Sequence, residues 1–564
     1  MKKNSSGIVM MGANILPFDI SKRLGTVVQV APSRITVRSV QGSSDTSKID
    51  ATTLVNIGDY VVLGRLAYAT MGQVVQIRLP ETGEGHFDLI VNLFTSVALS
   101  EMRVLPGVVQ PAQLGDPVFL PTQEIVNFVI SGNEGGRSSS PSDVRFHLAH
   151  LMNVVKTPVH VSPERLFGRH CAILGATGGG KSWTLARIVE ESTRYRSKVL
   201  LFDATGEYGA LDGQVMHLHF GKDARVSKHS EQSVVPYYHL NEQDLFAMFC
   251  PTGASQAPKL RAAIKSLKLV ALTRSVGVDG LIIKAHKSKV PFERALSKYR
   301  KEVDSPFASF DIHMLPQQLE NECVEQQRSS SEPDIWGGTN AVDLGNCMPL
   351  ISRILDMLEA PFMGPILKPK RLPSIFEKLH DFIRGDEYRV LRIDMSNLSS
   401  GYGVRRIIAN ALARHIFDLG QAGCFQKQPF LMVLDEAHQL FSGRDEQNRE
   451  VRLNMFDLIA KEGRKYSINL CMATQRPRDI PDDILSQMGT LIVHRLINDS
   501  DRAVIERASS EVDESSLRFI PSLGPGEAII SGVDFPLPLR VRIEPPDAKP
   551  SSAGANYQRY WSPE

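Results

Sequence analysis

Gly175-Ala176-Thr177-Gly178-Gly179-Gly180-Lys181-Ser182, preceded by the apolar run CAIL (171–174) and followed by WTLARIVEESTRY (183–195), decides how this chain is read. It is a complete G-x-x-x-x-G-K-[ST] between a strand and a helix. The small residues let successive backbone N–H groups wrap phosphates, and Lys181 reaches the β and γ oxygens. The Ser182 hydroxyl joins a magnesium shell, and the helix N-terminus adds its positive end. The expected ligands are ATP and Mg2+, with nucleotide contacts from Gly175 through Ser182 and from Trp183.

Such a loop needs an acidic partner on a neighbouring strand, and LMVLDE (431–436) supplies one. Asp435 would hold magnesium through its water shell with Ser182, and Glu436 would polarise the attacking water. An acid pair after a buried strand also reads as a helix cap and first turn. Asp203 closes VLLFD and begins DATGEY; it reads either as a group that arranges magnesium or the γ-phosphate or as a plain strand-end turn. Gln475 follows INLCMAT and reads as a γ-phosphate sensor or as a surface amide. A guanidinium best meets transition-state charge. Arg464 in EGRKY and Arg169 before the loop strand are the candidates, each weighed against a surface salt bridge.

Outward from these motifs the pattern is α/β with a parallel sheet, resuming after an interruption with YRVLRID (388–394), PFLMVLDE (429–436), INLCMAT (468–474) and TLIVHRL (490–496). The expected core is RecA-like, in two parts, 158–235 and 386–545, split by a helical insertion at 236–385 and followed by a tail at 546–564. Residues 1–157 hold short β-rich runs (GTVVQV, RITVRSV, DYVVLGRLAYA, QVVQIRL, FDLIVNLF, DPVFLPT) that predict a small β-barrel, with SGNEGGRSSSPS (131–142) as a linker. Within the insertion, 259–301 carries twelve Lys or Arg and few acids, which suits either a phosphate backbone or a solvated helix face.

The 564 residues, 42% hydrophobic and 22% charged, describe a globular protein of two or three domains. A net charge of +2 announces no global field for nucleic acid, so any DNA contact is local or made by several subunits. No run approaches the ~20 apolar residues of a membrane span and no leader is apparent, so the chain reads as cytoplasmic. The six cysteines lack C-x-x-C spacing and read as buried reduced thiols.

Together the barrel runs, LFGRHCAILGATGGGKS, FDATGEY, VLDEAHQLF, EGRKYSINLCMATQRP and the closing PLRVRIEPP resemble the HerA family of hexameric DNA-translocating ATPases, relatives of the FtsK pumps. DATGEY departs from the family, which more often has proline and histidine before GEY. The resemblance implies a homo-hexamer that hydrolyses ATP and moves DNA, read as duplex, through a central pore. It implies Lys181 and Ser182 as the Walker A pair, Asp435 and Glu436 as the Walker B pair, and Arg464 as a finger supplied in trans. Arg169, Asp203 and Gln475 would be accessory active-site residues. It also implies a separate effector, such as a nuclease or a sirtuin-type NAD-consuming enzyme, in anti-phage defence or DNA end processing. The competing reading is a ring scaffold whose ATP binding assembles an effector without translocation; a protein-remodelling ATPase is a third.

Overall fold

The computed structural model describes residues 17–39, 55–65, 67–79, 86–131, 144–152, 157–221, 230–369, 372–399, 401–441, 453–508, 518–551 and 561. Of the linker expected at 131–142, all but Ser131, which ends the helix Gln123–Ser131, lies outside them, as does most of the C-terminal tail. The chain divides into two units. The first takes the described residues of Met1–Gly168, Leu174–Thr184 and Gly489–Pro545, and the second those of Arg169–Ile173, Leu185–Met488 and Pro546–Glu564.

The first unit opens with seven strands: β1 (Phe18–Val30), β2 (Arg34–Ser39), β3 (Tyr60–Gly64), β4 (Tyr68–Arg78), β5 (Asp88–Ala98), β6 (Arg103–Pro106) and β7 (Pro117–Pro121). Their order is β2-β1-β7-β3-β4-β5-β6, and an antiparallel pairing of β2 with β5 closes six of them into a barrel. Closure removes the free edges that an open sheet would expose. Alternating inward residues, among them Val27, Ile35, Val37, Val61, Val74, Val91 and Val118, fill the interior. The run DYVVLGRLAYA holds β3 and the start of β4, with Gly64 facing Ala69, and β4 then continues through QVVQIR.

The remaining strands are β8 (Phe146–Leu151), β9 (Pro158–Val161), β10 (Cys171–Leu174), β11 (Lys198–Asp203), β12 (Val215–Phe220), β13 (Glu231–Ser233), β14 (Val390–Asp394), β15 (Phe430–Leu434), β16 (Ile468–Thr474), β17 (Thr490–Val493), β18 (Glu527–Gly532) and β19 (Leu539–Ile543). In the first unit β17, β18, β19, β8 and β9 pair antiparallel in that order. β8 therefore belongs with these strands, although the sequence reading counted 146–157 with the barrel; its partner β19 comes from the far end of the chain, which no local pattern reveals.

In the second unit β13-β12-β14-β11-β15-β16 run parallel. β11, β14 and β15 are buried along their whole length, as strands covered on both faces are. Register aligns Asp203 with Asp394 and Phe202 with Leu434, so the acidic residues that end β11, β14 and β15 collect at the carboxyl end of the sheet. Between β13 and β14 lies a helical stretch that includes Glu242–Phe249, Gly253–Leu272, Leu315–Glu322, Ala341–Glu359 and Ile375–Arg384. Its centre is polar: the buried Glu322 carboxylate takes Ser266, Gln318 and the Lys284 ammonium, and that ammonium also faces the rings of Phe292 and Trp336. Five cations of the basic run form ion pairs among the described residues: Lys259 with Asp343, Arg261 with Glu242, Lys265 and Arg300 with Asp304, and Lys284 with Glu322.

All six cysteines are free thiols; Cys250 and Cys424 are exposed, against the expectation of burial, because each follows a helix at its surface end. Among the described residues no helix is long and apolar enough to cross a membrane.

Tyr60 joins the barrel to the antiparallel strands of its own unit: its buried hydroxyl donates to the Pro538 carbonyl at 2.8 Å. Tyr60→Phe leaves that carbonyl without its donor and should lower stability by about 1 kcal/mol, read as a shifted urea midpoint with the m-value unchanged.

Candidate functional site: a phosphate loop and a buried acid cluster

The loop lies in the first unit, at the end of β10. The Leu174 carbonyl accepts from His494 N–H at 2.7 Å and Ala176 N–H donates to the Arg495 carbonyl at 2.9 Å, which fixes where the loop leaves the strand. Two positions demand glycine. A Cβ at Gly175 would lie 2.6 Å from the Cβ of His494, and Gly180 combines φ +118° with a Cβ position 3.1 Å from Gly526 Cα and the His494 ring. Gly178 is also left-handed, at φ +76°. Lys181 opens the helix Lys181–Thr193, is buried, and turns its ammonium back over the loop toward the Ala176 carbonyl at 3.4 Å. Ser182 beside it is half-buried and Trp183 is exposed. A loop backbone with glycine required at Gly175 and Gly180, closed by a helix N-terminus and a lysine, fits a polyphosphate.

His494, which no motif marked, braces this loop from below. It is fully buried, with Nδ1 2.8 Å from the Glu527 carbonyl and Nε2 2.8 Å from Thr184 Oγ1. A carbonyl only accepts, so Nδ1 carries the proton and Nε2 accepts from the Thr184 hydroxyl. Burial above all, with the Lys181 charge adding to it, pushes the imidazole down to about 4.

The acid cluster lies in the second unit. Asp435, directly after β15, is buried, with Oδ2 accepting from the Thr205 hydroxyl at 3.0 Å and Oδ1 3.4 Å from the Tyr208 hydroxyl. Burial and then the neighbouring Asp203 and Glu436 raise its carboxyl well above the ordinary range. A site where several carboxylates crowd one buried carboxylate fits a divalent cation, which would relieve that repulsion. Glu436 adopts φ +45°, an uncommon conformation for a non-glycine residue. Its Oε2 is 3.2 Å from His438 Nδ1, which is also 3.1 Å from Thr474 Oγ1 at the end of β16. Gln475 follows Thr474 and is half-buried. His438 thus links the two strand ends on which Glu436 and Gln475 were singled out.

Asp203 sits in this cluster in a different manner from a metal-facing acid. It is fully buried, and Oδ1 accepts the N–H groups of Gly206 at 2.7 Å and Glu207 at 3.2 Å, while Oδ2 takes Tyr208 N–H at 3.1 Å and Arg392 Nε at 2.7 Å. Both oxygens are therefore engaged in shaping the TGEY turn, which in turn delivers Thr205 and Tyr208 to Asp435. Arg392, buried in β14, also reaches Asp394 at 2.9 Å and His217 at 3.4 Å. Burial still raises the Asp203 carboxyl, with the Arg392 charge opposing it.

Arg464 is exposed on the turn Gly463–Tyr466 and makes no ion pair among the described residues; Arg169 is exposed just before β10. Between them in sequence function stands His170, buried, whose Nδ1 accepts Leu470 N–H and whose Nε2 donates to the Ala460 carbonyl. Burial lowers its imidazole to about 4, and Arg464 is near enough to add to that effect.

A glycine-rich phosphate loop opening a helix, with a buried acid at the end of a parallel strand, defines a P-loop ATPase. Residues 146–327 match the family model "Helicase HerA, central domain" and residues 411–552 match "Helicase HerA-like C-terminal", more than half the chain between them. The chain belongs to the HerA family. It is 25% identical over 460 residues to a probable helicase of Methanocaldococcus jannaschii, spanning 80% of this chain and 75% of that protein. To the DNA double-strand break repair helicase HerA of Saccharolobus solfataricus it is 25% identical over 382 residues, 67% of this chain and 64% of the relative. Among solved structures, VirB4 of Thermoanaerobacter pseudethanolicus aligns with a TM-score of 0.41 at 14% identity, covering 75% of this chain and 99% of that one. The bacterial conjugative coupling protein TrwB aligns at 0.42 and 13%, covering 73% and 90%.

Arg392→Ala strands two buried carboxylates and should cost about 3–5 kcal/mol, measured by urea unfolding, with Arg392→Lys only a partial rescue because a lysine cannot serve both acids in a fork. For His494 the folded state holds its proton with a value of about 4 against an ordinary 6.5. The unfolded chain therefore binds more protons between those values, so this contribution is complete above pH 6.5 and lost as pH falls toward 4. His494→Gln should make the stability profile in that window less steep by up to about 1.4 kcal/mol per pH unit, measured by unfolding at a series of pH values.

Proposed function

We propose that this chain is an ATP-hydrolysing DNA motor that works as a ring of six copies in the cytoplasm and powers or regulates a separate effector enzyme, in anti-phage defence or DNA end processing. The observation that carries the ATPase chemistry is the Asp435 cluster, where a buried, crowded carboxylate stands beside Glu436 and is organised by Thr205, Tyr208 and the Asp203 turn. Membership of the HerA family, with relatives named as DNA repair helicases, supports the DNA substrate.

In this reading the backbone from Gly175 to Gly180 and the Lys181 ammonium hold the phosphates of ATP. Ser182 and Asp435 would hold magnesium, which supplies charge neutralisation at the β and γ oxygens. Glu436 takes a proton from the attacking water, with His438, which contacts Thr474, standing 3.2 Å from its Oε2. Gln475, one residue beyond, reports the state of the γ-phosphate. Arg464, exposed and without an ion pair among the described residues, is available to a neighbouring copy's nucleotide, and Arg169 assists from the same chain.

The test is ATP hydrolysis with and without linear duplex DNA, with mass in solution measured alongside. Lys181→Ala and Glu436→Gln should each lower turnover by at least about a hundredfold, the loss expected when a phosphate clamp or general base is removed. Arg464→Ala should do the same alone, yet mixing it with Lys181→Ala chains should restore part of the activity, since each supplies what the other lacks. Turnover indifferent to DNA and to Arg464 would replace the motor with a nucleotide-assembled scaffold.

A further inference from the structure

We propose that His147, His150 and Glu544 form a binding site for a divalent transition metal of the zinc class, on the antiparallel strands of the first unit. The argument begins with spacing. Two residues three apart on a regular strand point to opposite faces, so His147 and His150 should be separated by the sheet. The pairing of β8 with β9 matches His147 with His160 but Ala149 with Val159, which leaves Leu148 as an extra residue, a β-bulge. Phe146, Leu148, Ala149 and Leu151 are buried, and His147 and His150 are half-buried on the other face. The bulge has brought the two imidazoles together.

The third ligand comes from the far end of the chain. β19 places Arg542 opposite His150 and Ile543 opposite Ala149, and Glu544 N–H donates to the Leu148 carbonyl at 3.0 Å. Glu544, two residues after Arg542, therefore returns to the face that carries the histidines. Its Oε2 is 2.9 Å from His150 Nδ1, and one ligand atom from each of the three residues lies within 4.8 Å of the others. The His147 ring stands nearly perpendicular to that of His150 at 5.1 Å and stacks on His160 at 4.9 Å, which holds its plane. Arg542, the cation on the same face, is ion-paired with Glu527 at 3.0 Å.

Two imidazoles and a carboxylate select Zn2+, Co2+ or Ni2+ over Mg2+ and Ca2+, which prefer oxygen ligands. Zn2+ binds such nitrogen and oxygen ligands at about 2.0–2.2 Å. Three protein ligands leave a fourth position for water or an exogenous donor. An ion here ties the β8–β9 edge to β19, and so holds together segments 394 residues apart in sequence, from His150 to Glu544.

The experiment uses the full chain without nucleotide, Co2+ as the visible probe and Zn2+ as competitor. The expected result is one Co2+ per chain with d–d absorption, displaced by Zn2+, and a melting temperature that rises with Zn2+. His147→Ala, His150→Ala and the near-isosteric Glu544→Gln should each weaken binding by at least about tenfold to a hundredfold and abolish the thermal shift. Circular dichroism and the metal-free melting temperature establish that each variant is folded, and Glu544→Gln, which keeps the backbone pairing of β19, serves if a histidine variant is not. Co2+ binding equal in wild type and folded variants, or no absorption from the wild type at millimolar Co2+, overturns the site.

Discussion

Arg392 is a guanidinium buried within a parallel sheet, ringed by Asp203, Asp394 and His217. A charge in that position is costly unless every donor finds an acceptor, and here the acceptors are the carboxylates that end two neighbouring strands. The pairing fixes Asp203, Asp203 fixes the turn from Gly206 to Tyr208, and the turn presents Thr205 and Tyr208 to Asp435. The acid at the centre of the proposed chemistry is held by a relay of hydrogen bonds that starts two strands away. Its own carboxyl is driven up by burial and by like charge, the state that a bound dication would reverse.

Three histidines play a comparable role by a different route. His170, His438 and His494 each use a ring nitrogen to join chain segments far apart in sequence: the loop strand's start to the EGRKY region, the DEAH segment to β16, and β17 to the phosphate loop's helix. His170 and His494 are buried and kept neutral, so each can donate at one nitrogen and accept at the other. A lysine or arginine could not do both. In the helical stretch the same economy of charge appears as the buried Glu322–Lys284 pair, whereas Arg261 and Lys265 make their ion pairs at the surface.

The phosphate loop was legible from residues alone because its chemistry is backbone chemistry: only glycine permits the φ values and the close approach of His494, so the motif must be written in the sequence. The acid pair Asp435–Glu436 was legible because a buried apolar strand ending in charge is rare without a reason. The barrel is legible from short β-rich runs broken by turn residues, and the parallel strands from continuous apolar runs.

What only the tertiary structure decided is which polar side chains meet. Asp203 read as a metal-facing acid or a turn residue, and the choice lay with Arg392, 189 residues later. His438 and His494 sat inside ordinary strand and turn patterns, since a histidine's role is set by the partners of its two nitrogens and those come from other strands. The N-terminal segment 1–157 includes β8, whose place beside β19 no local pattern shows, and the bulge at Leu148 that gathers His147 and His150 leaves no mark on composition or period. Local sequence specifies backbone conformation and burial directly, whereas pairing between distant side chains is fixed only when sheet order and register bring them within hydrogen-bond reach.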